Sequence, residues 1–487
     1  MPIVFGKKQE WKDGAYVDTD EDNQINDVHP AWTKKPSELK DEDYIAFYHQ
    51  LYPQTFEEPL FWIHLNVDYP FNLTGILYFP KVKNQMELQR NKIQLYANQV
   101  FVTEDVEGIV PEYLTLLHGV IDSPDIPLNV SRSYLQSDAQ VKKISNHISK
   151  KVADRLDELF RNERSLFEEK WESLKVFVQY GMLSDEKFYD RAVKFDLVTD
   201  IDGKHFTLDE YRTLTEGEQT DKEGQLVWLY TNDRNSQYTA IERAKAKGYS
   251  VLLLDGPLDV HAVSQLEQKL EKTRFVRVDS DSIDKLIAKD EQRAVSLSDV
   301  EQKALKALFE GRLPREEKRN YSVSLEALGA DADAVLITQG EFMRRMQEMA
   351  RLQPGMNFYG ELPGGYNVVL NTEHPLIQRL LASEKEVVEP KLSTLRAELQ
   401  EQSELVEAAR TVQSAKKPEE VSVAEREELD ALTSKQAELE GKISEEIKKF
   451  GSEELLVGQL VDLALLGNGL LSGEALAAFI RRSQQLL

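Results

Sequence analysis

The chain opens on a short apolar fragment, Ile3-Val4-Phe5, that runs straight into polar residues. Residues 7–30, rich in Asp, Lys, Asn and Gln, carry no apolar period and read as a linker or mobile arm. Order is expected from Pro30-Ala31-Trp32 onward. Ser37, followed by Asp41, Glu42 and Asp43, marks a helix start, because carboxylates in a first turn complement the helix dipole. Alternating apolar and polar positions predict strands over 61–67, 74–79 and 93–102. Pro111 predicts a helix entry, where a missing N–H costs nothing. Recurring Leu, Lys and Glu predict a long helical stretch over 137–179. Residues 30–185 therefore read as a mixed α/β unit, with 1–29 as its connector.

The pattern then changes. Short uninterrupted apolar runs at 226–230, 249–254 and 275–278 are separated by helical patterns at 238–247 and 260–272. That alternation predicts a small parallel sheet with right-handed crossovers, an αβα unit within 186–290. Asp255 falls at the end of the second run, where such sheets commonly take ligands. The favoured reading is an ordinary turn aspartate before Gly256-Pro257, because no phosphate-cradling glycine loop accompanies it.

The remainder, 291–487, is expected to be mainly helical, with strands at 321–325, 334–337 and 366–370. Leu392, Leu395, Leu399, Val406 and Ala409, then Leu429, Leu432, Leu439 and Ile443 beyond Lys416-Lys417-Pro418, predict an antiparallel coiled hairpin over 385–450. As a charge-rich element it reads as a solvated accessory. The tail from Leu455 is dense in Leu and Ala and is split near Gly467-Asn468-Gly469 into two amphipathic helices. A lone pair of helices cannot hide that much apolar surface, so a homodimer through residues 453–487 is expected. Those glycines do not make a dinucleotide loop, since their spacing is wrong and no strand precedes them. The fold class expected is α/β plus α+β multidomain. It comprises a mixed α/β large subdomain, a small parallel-sheet αβα subdomain, and a mainly helical C-terminal dimerisation domain with a coiled-hairpin insertion.

Composition narrows the function. A chain of 487 residues holds roughly three domains. A net charge of −25 repels phosphate backbones and anionic lipid, so neither nucleic acid nor membrane is an expected partner. It also keeps a protein with exposed apolar patches in solution. The chain has no cysteine, which removes disulfides, thiolate metal sites and a cysteine nucleophile. No apolar run reaches the ~18 residues of a membrane span, and the first residues lack the charged-then-apolar order of a signal peptide. The eight histidines show no metal-ligand pairing, and neither a Gly-x-Ser-x-Gly elbow nor a Gly-x-x-x-x-Gly-Lys loop occurs. No metal and no self-contained active site are expected.

Two local patterns stand out. Four of the seven methionines, Met343, Met346, Met349 and Met356, crowd into one segment. Phe342, Met346, Met349 and Leu352 approximate one helix face, with Met343 beside it and Arg344, Arg345 and Glu348 as polar neighbours. Flexible, polarisable methionine suits a surface that accepts many shapes, although a buried helix stripe has the same spacing. The second pattern is Pro127-Leu128-Asn129-Val130-Ser131-Arg132-Ser133-Tyr134-Leu135-Gln136. This proline-led polar loop carries an arginine whose rigid donor fork suits phosphate, or whose charge is satisfied by a cap or an acid elsewhere.

Several segments carry a resemblance. They are Pro30-Ala31-Trp32-Thr33-Lys34-Lys35-Pro36-Ser37, Asn91-Lys92-Ile93-Gln94-Leu95-Tyr96, Phe101-Val102-Thr103, Val110-Pro111-Glu112-Tyr113, the run from Gly119-Val120-Ile121-Asp122-Ser123-Pro124 through Arg132, and Phe479-Ile480-Arg481-Arg482. Together they closely resemble the ninety-kilodalton heat-shock protein chaperones, in particular their bacterial form. The likeness covers nearly the whole chain. It is most specific over 30–150 and looser in the C-terminal third, where 385–450 departs from the family pattern as an insertion. The family's N-terminal nucleotide-binding domain has no counterpart in the sequence, so the chain is expected to be a middle-plus-C-terminal fragment.

The resemblance implies a cytoplasmic homodimer that clamps unfolded or partly folded client proteins under stress and cycles with ATP and Mg. No nucleotide is expected on this chain alone, and no ATP hydrolysis without the nucleotide domain. Arg132 would reach the ATP γ-phosphate held by that domain, and Gln136 would order the same loop. The Met-rich helix would face clients through Phe342, Met343, Met346 and Met349. Trp32 is either a further client contact or a packing residue. Two other readings stay open: a non-catalytic dimeric scaffold that holds a dedicated partner through the coiled hairpin, and an enzyme built around Asp255.

Overall fold

The computed structural model describes residues 2–12, 14–81, 92–104, 106, 108–126, 139–289, 293–316, 319–340, 344–345, 364–417 and 421–486. The chain divides into two compact units. The first comprises Met1–Val198, His205–Tyr211 and Gly256–Leu266; the second comprises Thr199–Lys204, Arg212–Asp255 and Glu267–Leu487.

The first unit begins with β1 (Val4–Lys12) and β2 (Ala15–Gln24), an antiparallel ribbon where the pattern predicts a linker. Cross-strand pairs hold it: Lys7 with Asp22 and Lys8 with Glu21, each at 2.8 Å, and Trp11 edge-on to Tyr16 at 4.9 Å. Nearly every residue is exposed on both faces, so no inward-outward alternation marks these strands in the sequence.

The main sheet has five strands: β3 (Phe61–Val67), β4 (Leu73–Phe79), β5 (Lys92–Ala97), β6 (Val100–Thr103) and β7 (His118–Asp122). Their order is β3-β4-β7-β5-β6, antiparallel except for the β5–β7 pair. The pleat sends alternate residues to opposite faces. On one face, Trp62 stacks against Tyr44 at 4.9 Å, and the Tyr44 hydroxyl shares a 2.8 Å hydrogen bond with His64 Nδ1. These contacts seat the helix Asp41–Leu51, whose capping carboxylate, Asp43, the sequence had marked. On the other face Phe61 stacks on Phe79 at 4.3 Å, and Phe79 meets Phe177 of the helix Arg164–Ser184 at 5.4 Å. Strands β4 and β7 approach so closely that a Cβ on Gly119 (φ +133°) would lie 2.0 Å from the Ile76 carbonyl oxygen.

Two helical expectations change in detail. Pro111 leads only into a 3-10 turn, Glu112–Leu114, because the chain must turn at once into β7. The stretch over 137–179 is two helices, Ala139–Asn162 and Arg164–Ser184, broken at Glu163 by a non-helical backbone (φ −138°, ψ 51°).

Behind them lies a buried charge cluster. Asp259, 2% exposed, accepts from Lys175 Nζ at 2.9 Å, Gln179 Nε2 at 2.7 Å and the Gly256 N–H at 2.7 Å. Burial pushes the nearby Asp196 carboxyl up to about 7, against the pull of the Lys175 ammonium and with the help of Asp259.

The second unit contains the predicted parallel sheet. The short strands β8 (Leu197–Thr199) and β9 (His205–Thr207) precede it in the chain. Strands β10 (Leu226–Thr231), β11 (Val251–Leu253) and β12 (Thr273–Arg277) run parallel in the order β11-β10-β12. The intervening helices, Tyr238–Ala246 and Asp259–Lys269, fall where the pattern places them. A second sheet combines β13 (Arg319–Glu326), β14 (Val335–Thr338) and β15 (Gly364–Asn371): β15 lies between the other two, parallel to β13 and antiparallel to β14.

Helices converge on that second sheet. Leu305, Leu308 and Phe309 from Asp299–Glu310, Ile377 and Leu380 from Pro375–Val387, and Val457, Val461 and Leu465 from Leu455–Gly467 form one core with Val368 and Leu370. The first tail helix therefore buries much of its apolar face inside its own chain, which the sequence pattern had assigned to a second copy. Leu463, Leu466 and, on the last helix Gly473–Leu486, Ile480 remain exposed. The predicted coiled hairpin is present as the helices Glu389–Ser414 and Val423–Glu453.

The buried cluster predicts a pH dependence. The folded Asp196 binds its proton more tightly than the unfolded chain does. Its stabilising effect is therefore full below about pH 4 and is lost as pH rises towards about 7. Native-state hydrogen exchange of residues 186–198 is expected to show falling opening free energy across that window, and Asp196→Asn to flatten it. An unchanged slope in the variant assigns the dependence to another group.

Candidate functional site

Arg132, Gln136, Phe342, Met343, Met346 and Met349 all lie outside the described residues. The structure does describe the frames from which both segments spring.

The arginine segment follows the end of β7 in the chain. There the Asp122 carboxylate accepts from Trp32 Nε1 at 3.1 Å and from the Gln99 N–H at 2.9 Å. Just beyond, Ser123 Oγ donates to the Asn72 carbonyl at 2.6 Å, and the Asn72 N–H donates to Asp125 Oδ2 at 2.7 Å. Ile126 is buried. The chain returns in the helix Ala139–Asn162 with Val141, Ile144 and Ile148 fully buried. Both ends of the loop are thus held by packed, hydrogen-bonded structure, as a functional loop requires.

Trp32 belongs to that frame. It is 7% exposed, with its ring 5.5 Å from Phe47 and 5.0 Å from Tyr96. Of its two expected roles, the geometry gives it packing. A client would reach the indole only after the aromatic cluster opened.

The methionine segment is rooted differently. Arg344 is 1% exposed. Its guanidinium donates to the Tyr230 hydroxyl at 2.6 Å and lies 5.4 Å from that ring's centroid, a cation–π contact. Arg345 forms a fork with Glu267, at 2.7 and 3.0 Å, and donates to the Phe275 carbonyl at 2.7 Å. Glu267 in turn accepts from the Phe275 N–H at 2.7 Å. The two arginines that the pattern offered as polar neighbours of a helix face are therefore anchors, fastened to β10 and β12. Their partners lie 70 to 114 residues away along the chain, so local spacing carries no signal for them.

A polar cavity of about 400 Å³ opens beside Arg344, at the C-terminal ends of β10 and β12, where α/β sheets commonly take ligands. Asn232, Asp233, Arg277, Thr338 and Tyr366 line it. Sequence reading looked to β11 instead: Asp255 is exposed and is not part of this lining. Among the described residues, no cluster of histidines and carboxylates could hold a metal ion, and no helix is long and apolar enough to cross a membrane.

The Arg345 anchor is testable. Arg345→Ala is expected to lower the local stability of residues 267–277 in hydrogen exchange by about 1–3 kcal/mol, since Glu267 loses its partner in a half-buried setting. Arg345→Lys is expected to recover less than half of that, because a point charge cannot make the paired bonds. Full recovery with lysine would reduce the fork to a simple charge contact.

Comparison with known proteins completes the description. The family model described as Hsp90 protein matches residues 7–450. The chain is 66% identical along its whole length to Chaperone protein HtpG of Porphyromonas gingivalis, and 56% identical to Chaperone protein HtpG of Bacteroides fragilis. In each case it spans 71% of the relative's length. A solved structure, the middle domain of a Plasmodium falciparum putative heat shock protein, is matched over all of its length and 52% of this chain, at a TM-score of 0.42 and 20% identity. The sequence similarity, continuous from the exposed ribbon to the last helix, is what identifies the chain as a member of the Hsp90 family.

Proposed function

We propose that this chain is the client-binding and dimerising portion of an ATP-dependent chaperone. The observation that carries the reading is 66% identity to a protein named as a chaperone, over every residue of the chain, so that both the arginine loop and the methionine segment fall inside the match. The frames described above support it. Methionine is a pliable side chain, and buried polar anchors such as Arg344 lie in the same stretch of sequence.

On this reading Phe342, Met343, Met346 and Met349 form the client surface. Their side chains adapt to unfolded segments of varied shape without demanding a sequence. The net charge of −25 keeps a molecule with such a surface from self-precipitating. Homodimerisation uses residues 453–487, where Leu463, Leu466 and Ile480 are available for contact.

In a polypeptide that also carries the family's nucleotide-binding domain, ATP with Mg supplies the phosphoryl chemistry. This chain contributes one directed cation: Arg132, held by its loop, places its donor fork against the γ-phosphate, and Gln136 keeps the loop ordered. A preorganised cation stabilises charge that develops during transfer without having to reorganise.

Two experiments test the reading. Met346→Ser with Met349→Ser is expected to weaken suppression of client aggregation several-fold, with helix content unchanged; equal suppression would remove this face from client binding. Arg132→Ala, in the polypeptide with the nucleotide domain, is expected to slow ATP turnover by about 10²-fold while nucleotide affinity holds. Equal turnover would end the phosphate-contact role.

A further inference from the structure

The coiled hairpin is built in two halves of different character. Its seam follows a regular heptad: Leu392, Leu395, Leu399, Gln402, Val406, Ala409 and Gln413 on one helix, against Leu429, Leu432, Gln436, Leu439 and Ile443 on the other. Near the root the seam is aliphatic. There the helix Val423–Glu453 also packs against Asp299–Glu310, so tightly that a Cβ on Gly451 would lie 2.0 Å from the Leu308 carbonyl oxygen.

Towards the tip the seam turns polar. Gln402, 3% exposed, donates to the Leu432 carbonyl at 3.0 Å; Gln436 donates to Ser403 Oγ at 3.2 Å; Gln413 donates to the Glu425 carbonyl. Val406, 3% exposed, and the half-buried Ala409, Leu429 and Leu432 share that seam, but three aliphatic residues of this half face outward. Leu405 is 49% exposed, Val412 55% and Val423 70%. With Ala408 and Ala415, also exposed, Leu405 and Val412 make a second heptad stripe beside the seam.

A hairpin meant to stand alone would place leucine and valine inward and glutamine outward. Here glutamine shares the distal seam with Val406, Leu429 and Leu432, while Leu405 and Val412 lie outside it. Three glutamines fix register within the pair, and the apolar surface needed to hold another helix is left outside.

We propose that the distal hairpin is a docking site for a basic amphipathic helix of a separate protein, which packs its apolar face on Leu405, Ala408, Val412 and Ala415. Charge selects the occupant. The glutamates Glu398, Glu401, Glu404 and Glu407 flank the stripe, all exposed. A second copy of this chain would bring the same carboxylates and another net charge of −25. A helix with lysine or arginine beside its apolar positions meets them with opposite charge, as flanking positions do in coiled coils that choose their partners. The proposal stands apart from the chaperone reading, because it uses neither the methionine segment nor the arginine loop.

The test uses the whole chain and a synthetic helix about 28 residues long, with leucine at its seam positions and lysine beside them, followed by fluorescence anisotropy. A matched peptide with glutamate for lysine is the charge control. The lysine peptide is expected to bind and the glutamate peptide to fail. L405E/V412E is expected to weaken binding of the lysine peptide at least about tenfold. That variant adds negative charge, so general attraction to an acidic protein would strengthen instead. E401K/E404K is expected to weaken the lysine peptide and admit the glutamate one. Unchanged or tighter binding by L405E/V412E overturns the proposal, as does equal binding of the two peptides. Self-association of the parent chain that L405E/V412E abolishes, read by sedimentation, would overturn it in favour of a second copy.

Discussion

A charge removed from water is costly unless polar groups answer it, and Arg344 is the residue on which that constraint falls most heavily. It is almost wholly enclosed, yet it sits in the part of the chain richest in methionine, the side chain least able to define a single shape. The Tyr230 ring and hydroxyl answer it from β10, and Arg345 is answered one residue later by Glu267 and Phe275. Weak specificity in a surface and strong specificity in its root are complementary demands. A pliable face without a fixed root would collapse onto the nearest core, and a fixed face would fit only one partner.

The same division appears in the first unit. Asp122 gathers Trp32 and the turn before β6, and next to it Ser123 and Asp125 tie the chain to Asn72. They lie just before the arginine segment in the chain. Trp32 acts here through what it holds in place. Its aromatic contacts and its bond to Asp122 make it part of the platform, which accounts for a large indole just past the polar stretch that reads as a connector.

How much of this was legible depended on whether the signal was local. The parallel sheet was readable because β10, β11 and β12 are short aliphatic runs buried on both faces, divided by helices of regular period. The coiled hairpin was readable from its heptads. The β1–β2 ribbon was not, since strands exposed on both sides leave no alternation, and their pairing rests on cross-strand charge instead. The tail was legible only in part, for a different reason. A count of Leu and Ala says how much surface must be covered but not what covers it. The cover for Val457, Val461 and Leu465 comes in part from β15, which lies well upstream. Buried arginines are the hardest case, because Arg344 and Arg345 look like any solvated pair until partners from distant strands are placed beside them.

Placement also separates the hairpin from the rest of the second unit. In the core around Val368 and Leu370, aliphatic side chains point inward from every helix, and the sheet and helices satisfy one another. In the distal hairpin, glutamine takes inward positions beside Val406 and Leu432, while Leu405 and Val412 face outward. A random surface scatters its apolar residues singly. Leu405, Ala408, Val412 and Ala415 instead repeat with the seven-residue period of a packing face, alongside a seam that already has one partner. Glutamine in that seam gives up burial energy that leucine would have supplied, and in return it forbids the pair from sliding to bury Leu405 and Val412 itself. A seam of mixed glutamine and aliphatic residues holds its register while the stripe beside it stays open, which two helices folding only for each other would have no reason to do.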